Sequence, residues 1–407
     1  MSFSTRDVVT QYETYVMNTY VRIPLVITKG KGSRIWDLEG HEYLDLFPGW
    51  AVSGIGHCHP WVMKAIRGQS TRLLHLPNSY YHPLQAKLAK KIVQASFEGK
   101  VFFANSGAEA VETAIKLARK WGNASMPTRH DIIVMEQSFH GRTTGALSAT
   151  GQLKYQQGFE PLLPGFVHVP YGDLHAVRKA LTPKTSAILV EPIQGEGGVQ
   201  VPPMGYLQGL RALADEHRLL LMFDEIQTGM GRTGMMFAFQ RSGVVPDVML
   251  LAKTLGGGFP IGAVVARPAV ADLLTPGTHA ATFGGSPMAC ACGLAVFEAL
   301  EKQKLLERVN HFGALIMQRL QPLKARCPII QEVRGVGLMI GIELSVPGKP
   351  IVDACRAQRL LINCTQGKVL RLLPAMTITR AQVDKALAVL EEVLLAHVKQ
   401  TVSAGRG

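Results

Sequence analysis

The sequence lacks the patterns that mark specialised chains. None of its 6 cysteines forms a Cys-x-x-Cys pair, so we expect reduced, mostly structural thiols rather than a disulfide framework. There is no internal repeat or low-complexity segment, and the 41 Gly and 23 Pro have no period, which excludes collagen-like and disordered chains. With 47% apolar residues among 407, the chain can bury the cores of two or three domains, at roughly 150 residues per domain.

No uninterrupted apolar segment is long enough to cross a bilayer. The longest stretch without formal charge, residues 273–297, is interrupted by Pro276, Gly277 and Pro287, and Ser286 before Pro287 is typical of a helix N-cap. The N-terminal segment contains no apolar core of a secretory signal. We therefore expect a cytoplasmic location and no membrane partner.

Positive charge is in excess but is not concentrated. The chain has 43 Lys and Arg against 30 Asp and Glu, a net charge of +13, which favours anionic partners. The basic residues are interspersed with acids, and neither a basic tail nor a basic stripe with interleaved aromatics is present. We expect no nucleic-acid partner, and the net charge itself points to no particular ligand.

Short apolar runs alternate with helical patterns through the middle of the chain, which predicts an α/β fold with a mostly parallel central sheet. After Ser286 the pattern changes to long helices and a few strands, which predicts a smaller α+β domain. We expect an N-terminal segment packed on that smaller domain (1–55), a large domain (56–285) and a small C-terminal domain (286–407). The predicted strands of the large domain are 101–104, 131–135, 186–190, 219–223 and 247–252.

Ligands of open α/β sheets bind beyond the carboxyl ends of the strands. The first strand is followed by Asn105-Ser-Gly-Ala-Glu, where Ser106 and Glu109 have the spacing of a capping box and Gly107 permits close approach of an anion to the helix N-terminus. A capped helix without a ligand is the alternative. Asp224 follows the fourth strand and needs a positive partner or donors if buried, although it could simply cap a loop.

Lys253 follows the fifth strand, where loss of water would lower its pKa and make it a Schiff-base nucleophile. A surface lysine with a buried stem is the alternative. An anion site, a buried carboxylate and such a lysine are together explained by pyridoxal phosphate.

Two other motifs suggest different chemistry. Residues 229–234 match G-x-G-x-x-G, the pattern of dinucleotide-binding oxidoreductases, but no helix pattern or ribose-binding acid follows. The run His57-Cys58-His59 resembles metal ligands, although its dense spacing differs from that of ordinary zinc sites. We expect no resident metal.

Seven motifs in order resemble the class-III pyridoxal-phosphate aminotransferases, and most closely the acetylornithine aminotransferases among them. The resemblance implies an enzyme with the type I aminotransferase fold, active as a homodimer with sites at the subunit interface. The motifs are Gly56-His-Cys-His-Pro, Asn105-Ser-Gly-Ala-Glu-Ala, Ser138-Phe-His-Gly-Arg-Thr, Glu191-Pro-Ile-Gln-Gly-Glu-Gly-Gly, Phe223-Asp-Glu-Ile-Gln-Thr-Gly, Leu251-Ala-Lys-Thr-Leu-Gly-Gly-Gly-Phe-Pro-Ile-Gly and Thr282-Phe-Gly-Gly-Ser-Pro.

The resemblance also implies roles for individual residues. Lys253 is the catalytic lysine that holds the cofactor. The other implied cofactor-binding residues are Ser106, Gly107 and Ala108 at the phosphate, Thr282 reaching it from the other subunit, Phe139 on the ring, Asp224 at the pyridine nitrogen and Gln227 near the ring hydroxyl. The implied substrate-binding residues are Arg142 for the carboxylate remote from the reacting amine, Arg371 for the α-carboxylate of glutamate, Glu196 as the partner of Arg371, and Tyr20.

The implied reaction belongs to arginine biosynthesis. The δ-amino group of N2-acetylornithine passes to 2-oxoglutarate, giving N-acetylglutamate semialdehyde and glutamate. Three residues depart from the usual pattern of the resemblance: Trp50, Thr254 and Ala281. Ornithine, succinylornithine or another ω-amine therefore stays open as the substrate, as does a mutase or decarboxylase on the same fold.

Overall fold

The computed structural model describes residues 4–125 and 129–404. Its helices are α1 (Thr5–Tyr15), α2 (Pro60–Ser70), α3 (Pro83–Ala95), α4 (Gly107–Ser125), α5 (Thr144–Ala149), α6 (Leu153–Gln156), α7 (Leu174–Ala180), α8 (Tyr206–His217), α9 (Phe239–Ser242), α10 (Pro268–Ala271), α11 (Pro287–Lys302), α12 (Leu305–Arg326), α13 (Lys349–Ala357) and α14 (Arg380–Ala404). Its strands are β1 (Ile27–Lys31), β2 (Arg34–Asp37), β3 (Glu42–Asp45), β4 (Lys100–Ala104), β5 (Asp131–Met135), β6 (Phe166–Val169), β7 (Thr185–Val190), β8 (Leu220–Asp224), β9 (Val248–Leu251), β10 (Gly262–Ala266), β11 (Ile330–Val336), β12 (Met339–Leu344), β13 (Leu360–Leu361), β14 (Asn363–Thr365) and β15 (Val369–Leu372).

A seven-stranded sheet of order β4-β10-β9-β8-β7-β5-β6 forms the centre of the segment predicted to be the large domain. Strands β5 to β9 pair in parallel, and β10 is antiparallel to both of its neighbours. The predicted α/β fold class is confirmed, and the five predicted strands correspond to β4, β5, β7, β8 and β9. The sequence analysis did not predict β6 and β10. Because β10 reverses direction between β4 and β9, those two strands still end at the same edge as the others.

Helices cover both faces of this sheet, which explains why its strands have continuous apolar sequences. All six residues of β7 are buried. Alternate residues of the strands enter different cores: Leu189 and Met222 pack in the cluster that includes α4, whereas Ile188 and Phe223 pack in the cluster that includes α8. The sheet is therefore rigid, and its carboxyl edge fixes the positions of the residues that follow each strand.

The C-terminal part contains an antiparallel sheet of order β11-β12-β15-β14. The N-terminal strands join this part of the chain, since β3 pairs in parallel with β13 through Leu44 and Leu360. Helix α11 packs on α2, α3 and the turn after β9, and thus contacts the large domain from beyond residue 286. The domain boundaries given above stay a prediction.

Two helix starts follow the sequence signals closely. The Ser286 hydroxyl accepts from the Ala289 amide, with Pro287 in the first turn of α11. At α14, Thr379 and Gln382 form the reciprocal capping bonds, at 3.3 Å and 3.0 Å. Among residues 4–125 and 129–404, no helix is both long and apolar enough to span a membrane.

The G-x-G-x-x-G segment contacts the C-terminal part of the chain and does not open a helix that could bind a dinucleotide. The guanidinium of Arg232 is fully buried and donates to the carbonyls of Leu338 (3.1 Å) and Pro374 (2.6 Å). Burial lowers the pKa of Arg232 to about 10. Gly337 lies against this segment with a left-handed φ of 59°, and a Cβ there would be 2.6 Å from the carbonyl carbon of Thr233.

This contact predicts that Gly337→Ala destabilises the fold more than a matched glycine substitution. Gly32 has the same φ of 59°, but a Cβ there would meet nothing within 4 Å. Gly32→Ala therefore adds only left-handed strain, about 1–2 kcal/mol, whereas Gly337→Ala adds overpacking of roughly 1–3 kcal/mol. Thermal unfolding at equal scan rate should give the lower Tm for Gly337→Ala. Equal Tm values would contradict the close interdomain contact.

Candidate active site

A cavity of about 390 Å³ opens at the carboxyl edge of the seven-stranded sheet. The parallel strands end at this edge and helix α4 begins there, as expected for ligand sites of open α/β sheets. Most residues singled out in the sequence line it: Ser106, Gly107, Ala108, Phe139, Arg142, Glu196, Asp224, Gln227 and Lys253.

The start of α4 forms one end of this cavity. The Ser106 hydroxyl accepts from the Glu109 amide at 3.3 Å, but the Glu109 carboxylate turns to Asn105, accepting from its amide nitrogen at 2.6 Å and from its side chain at 2.9 Å. The predicted capping box is therefore wrong at one of its two bonds. Gly107 and Ala108, in the first turn of α4, line the cavity, and first-turn amides, which have no partner within the helix, can bind an anion there.

Asp224 is the last residue of β8 and is buried. One carboxylate oxygen accepts from the Ile226 amide at 3.0 Å, and the other lies 2.7 Å from Nδ1 of His140. His140 is also buried, and among the described residues its Nε2 has no partner. Sequence analysis missed His140, although it follows Phe139 directly in a quoted motif. The imidazole supplies the donor that a buried carboxylate requires.

Lys253 begins the turn after β9 and has a left-handed φ of 46°. A non-glycine residue in this conformation is strained, and such strain is concentrated at functional sites. Loss of water within the cavity lowers the pKa of the Lys253 amine, and the nearby Arg371 lowers it further, against the opposing charges of Glu196, Asp224 and Glu191. The lysine is thus shifted toward its neutral, nucleophilic form.

Arg371 and Glu196 form an ion pair between the C-terminal sheet and the loop that follows β7. The Arg371 side chain, on β15, is fully buried, and its Nη1 lies 2.7 Å from Oε1 of Glu196. Burial raises the pKa of Glu196, but the charge and hydrogen bond of Arg371 outweigh it, so the net pKa is lowered. The Asn363 side chain accepts two further bonds from Arg371, at 3.2 Å and 2.9 Å, and Gln227 accepts one at 3.4 Å. Asn363 carries no signal in the sequence.

Arg142 also lines the cavity, and its guanidinium is stacked on aromatic rings. Its guanidinium carbon is 3.8 Å from the ring centroid of Tyr155 and 5.4 Å from that of Phe139. No ion pair joins it to a carboxylate within residues 4–125 and 129–404. An exposed, stacked guanidinium without an internal counter-ion is well suited to bind a substrate carboxylate.

Glu191 is a third buried carboxyl group that the sequence analysis did not select. Burial raises its pKa well above the usual range, and the charge of Asp224 raises it further. Its oxygens accept from the amides of Phe139 and Gly195 at 3.4 Å each. The raised pKa shifts Glu191 toward its uncharged form and so reduces its repulsion with Asp224. It was the first residue of a quoted motif, which is the only sequence signal for it.

Three predicted residues do not line this cavity: Tyr20, Thr282 and Arg371, of which only Arg371 contacts the lining residues Glu196 and Gln227. Tyr20 is 65% exposed in the N-terminal segment, and Thr282 lines a separate surface groove that also includes Asn78 and Tyr81. Trp50 is 51% exposed and packs edge-on against Phe47. One chain alone therefore does not bring Tyr20 or Thr282 to Lys253.

The two histidines of the run His57-Cys58-His59 contact other groups of the protein. His57 lies 2.8 Å from the Asp45 carboxylate, and the His59 ring accepts from the Trp61 amide at the start of α2. Each histidine is thus explained without a metal ion.

Comparison with known proteins identifies the family. The family described as aminotransferase class-III matches residues 15–394. The chain is a class-III aminotransferase. It is 49% identical to the acetylornithine aminotransferase of Methanothermobacter thermautotrophicus, over 93% of this chain and 96% of that protein. The acetylornithine aminotransferase of Myxococcus xanthus is 46% identical, over 94% and 96% of the two chains.

Solved structures agree with this family. The ornithine aminotransferase of Toxoplasma gondii superimposes with a TM-score of 0.95 at 35% identity, covering 98% of this chain and 96% of that one. The acetylornithine aminotransferase of Elizabethkingia anophelis has a TM-score of 0.87 at 32% identity, covering 97% and 100%. The type I aminotransferase fold predicted from the sequence is confirmed.

Class-III aminotransferases depend on pyridoxal phosphate, so the predicted cofactor is confirmed. The cavity of this aminotransferase fits such a group on its own geometry. A helix start with free amides, a buried carboxylate held by His140, and an amine of lowered pKa all face one space. They match the phosphate, the basic ring nitrogen and the aldehyde of the cofactor.

The geometry predicts that Lys253→Ala abolishes transamination while the protein still folds. Turnover should fall by at least about 10³-fold, because both the attacking amine and the proton carrier are lost. Lys100→Ala is the matched control, since this exposed lysine starts β4 of the same sheet far from the cavity. Steady-state rates and circular dichroism check the prediction. Full activity of Lys253→Ala would contradict it.

Proposed function

We propose that this aminotransferase transfers the δ-amino group of N2-acetylornithine to 2-oxoglutarate, giving N-acetylglutamate semialdehyde and glutamate in arginine biosynthesis. The observation that carries the proposal is the set of curated relatives. Four acetylornithine aminotransferases are 46–49% identical over at least 93% of this chain.

The charges of the cavity support an N-acylated substrate. Free ornithine has an α-ammonium group that needs a carboxylate partner once it leaves water. Among the described cavity residues, Asp224 is paired with His140, Glu196 is paired with Arg371, and Glu191 is shifted toward its protonated form. An acetamido group carries no charge and requires none of them.

We assign the cofactor contacts by position in the cavity. The amides of Gly107 and Ala108, with Ser106, would hold the phosphate, and Asp224 would accept from the ring nitrogen. Phe139 would cover the ring, and Gln227 would hold its hydroxyl side. Pyridoxal phosphate, when bound, supplies a carbonyl that takes up the amino group and a ring that withdraws electrons from the substrate carbon.

Lys253 moves the proton. Its Nζ, whose pKa is lowered within the cavity, takes the proton from the substrate carbon that bears the δ-amino group. General-base catalysis of this kind requires a pKa near the working pH. The fixed position of Lys253 at the end of the rigid sheet limits the distance over which the proton travels.

The two arginines bind the carboxylates of two different substrates. Arg142, stacked on Tyr155, binds the carboxylate remote from the reacting amine through its planar guanidinium. Arg371 binds the α-carboxylate of 2-oxoglutarate and glutamate. When the amine substrate is bound, Glu196 neutralises Arg371 instead. One cavity thereby accepts an ω-amine and an α-keto acid in turn.

We infer a homodimer from the residues that lie outside the cavity. Thr282 lines a surface groove and Tyr20 is exposed, although the family resemblance gives both a role at the site. Apolar side chains of the N-terminal segment, including Met17 and Val21, are also exposed, as expected of a surface that another chain covers. In the dimer, Thr282 of one subunit completes the phosphate site of the other.

A second candidate is an ornithine aminotransferase. The structural neighbours with TM-scores of 0.95 carry that activity in their names.

The substrate assignment predicts a preference that steady-state kinetics can measure. With 2-oxoglutarate saturating, kcat/KM for N-acetylornithine should exceed that for ornithine by at least tenfold, because burying an unpaired ammonium costs about 1.4 kcal/mol or more. A preference for ornithine would transfer the assignment to the second candidate. Absence of activity with both, and with succinylornithine, would overturn the proposal.

The dimer assignment predicts complementation between two defective chains. In a hybrid of Lys253→Ala and Thr282→Ala subunits, one of the two sites keeps Lys253 from one subunit and Thr282 from the other. At limiting pyridoxal phosphate, the purified hybrid should be more active than either homodimeric variant, approaching half the wild-type rate. A hybrid activity equal to the mean of the two homodimers would contradict a shared site.

A further inference from the structure

Glu196 lies in a segment that its own sequence leaves flexible. Gly195, Gly197 and Gly198 surround it, and glycine loses more backbone freedom on ordering than any other residue. The segment is nevertheless held by the small domain. The guanidinium of Arg334, on β11, donates to the carbonyls of Gly198 and Val199 at distances of 2.7–3.2 Å. This contact fixes the segment on the C-terminal side of Glu196.

The backbone of Glu196 itself is bound by the β14–β15 hairpin. Its carbonyl oxygen accepts from the Thr365 hydroxyl at 2.5 Å and from the Gln366 side-chain amide at 2.7 Å. Two donors on one carbonyl fix the position of the backbone. The Glu196 carboxylate takes no part in these bonds and pairs with Arg371.

Gln366 also connects the hairpin to the loop that carries Phe139. Its amide nitrogen lies 3.2 Å from Oε1 of Gln152, and the Gln152 amide donates to the carbonyls of Gln137 and Ser138 at 3.2 Å each. Gln366 has a left-handed φ of 52°, a conformation that costs about 1–3 kcal/mol in a non-glycine residue. In this conformation the Gln366 side chain reaches Gln152.

The proposed function requires the Glu196 carboxylate to occupy two positions. It must neutralise Arg371 when the ω-amine substrate is bound, and it must leave when an α-carboxylate takes its place, because two carboxylates at one guanidinium repel each other. A bond to the carbonyl permits this movement, since rotation about the side-chain torsions does not disturb it. The backbone supplies a fixed pivot and the carboxylate moves.

We propose that Thr365 and Gln366 are positioning residues that hold the Glu196 backbone while its carboxylate alternates between Arg371 and a second position, and that they thereby set the balance between the ω-amine and α-carboxylate substrates. The inference rests on the proposed function. The inference predicts that loss of the Thr365 and Gln366 donors affects the two half-reactions differently. Without the pivot, Glu196 pairs with Arg371 less often, so the ω-amine reaction slows, whereas an incoming α-carboxylate meets less competition.

The test uses single-turnover rates of the two half-reactions, measured separately with N-acetylornithine and with glutamate on the cofactor-loaded enzyme. Thr365→Val removes the hydroxyl and keeps the shape, and Gln366→Gly removes the amide and relieves the positive φ. In the double variant, the ratio of kcat/KM for N-acetylornithine to that for glutamate should fall at least fivefold. The single variant Thr365→Ser should keep the wild-type ratio, because it keeps the hydroxyl.

A matched control lies in the same hairpin. Lys368 is exposed, so Lys368→Ala should leave the ratio unchanged. A merely structural defect would lower the rates of both half-reactions and the Tm, and it would leave the ratio of the two rates unchanged. An unchanged ratio in the double variant would overturn the inference.

An equilibrium measurement tests the same point without catalysis. Glutarate has two carboxylates but neither an amine nor a ketone, so it binds without reacting. By calorimetry on the cofactor-loaded enzyme, the double variant should bind glutarate at least as tightly as wild type, since Glu196 competes less for Arg371. Weaker binding would contradict the pivot.

The two proposals fail differently. If wild type does not react with N-acetylornithine, ornithine or succinylornithine, the proposed function fails. If wild type reacts and the variants keep its ratio, only the role of Thr365 and Gln366 fails.

Discussion

The fully buried guanidinium of Arg371 is the constraint on which the rest of the site depends. A buried charge is costly unless it is paired and hydrogen-bonded, and Arg371 obtains both from Glu196 at 2.7 Å and from Asn363. Arg371 and Asn363 lie on β15 and β14 of the C-terminal sheet, while Glu196 lies in the loop that follows β7 of the seven-stranded sheet. Charge compensation therefore joins the two sheets, and in the proposed function the same contact opens when a substrate carboxylate replaces Glu196.

The remaining charges of the cavity are arranged around this pair. The Asp224 carboxylate accepts from the Ile226 amide and lies 2.7 Å from Nδ1 of His140, while burial, and then the charge of Asp224, raises the pKa of Glu191. Lys253 is affected by all of them, and its pKa is lowered because desolvation and Arg371 outweigh three carboxyl groups. A change at any one of these groups alters the protonation of the lysine, which is why the site works as one electrostatic unit.

The sequence predicts the parts of this site that depend on local pattern. Asp224 and Lys253 follow apolar strands, and parallel strands end at one edge, so their convergence was predictable. His140 and Asn363 were not, because their partners Asp224 and Arg371 are reached only through the tertiary fold. Strand β10 was not predicted for a similar reason. Its apolar run is short, and its antiparallel pairing with β4 and β9 arises only in the tertiary fold. The capping box at α4 failed because Asn105 competed for the Glu109 carboxylate.

The most direct test of the account is to locate the residue that holds the cofactor. Pyridoxal phosphate added to the protein, followed by borohydride reduction, fixes the cofactor to its amine, and peptide mass spectrometry then identifies the modified lysine. The account predicts one modified site per chain, at Lys253, with the label lost in the presence of excess N-acetylornithine before reduction. Labelling of another lysine, or no stable labelling at all, would contradict it.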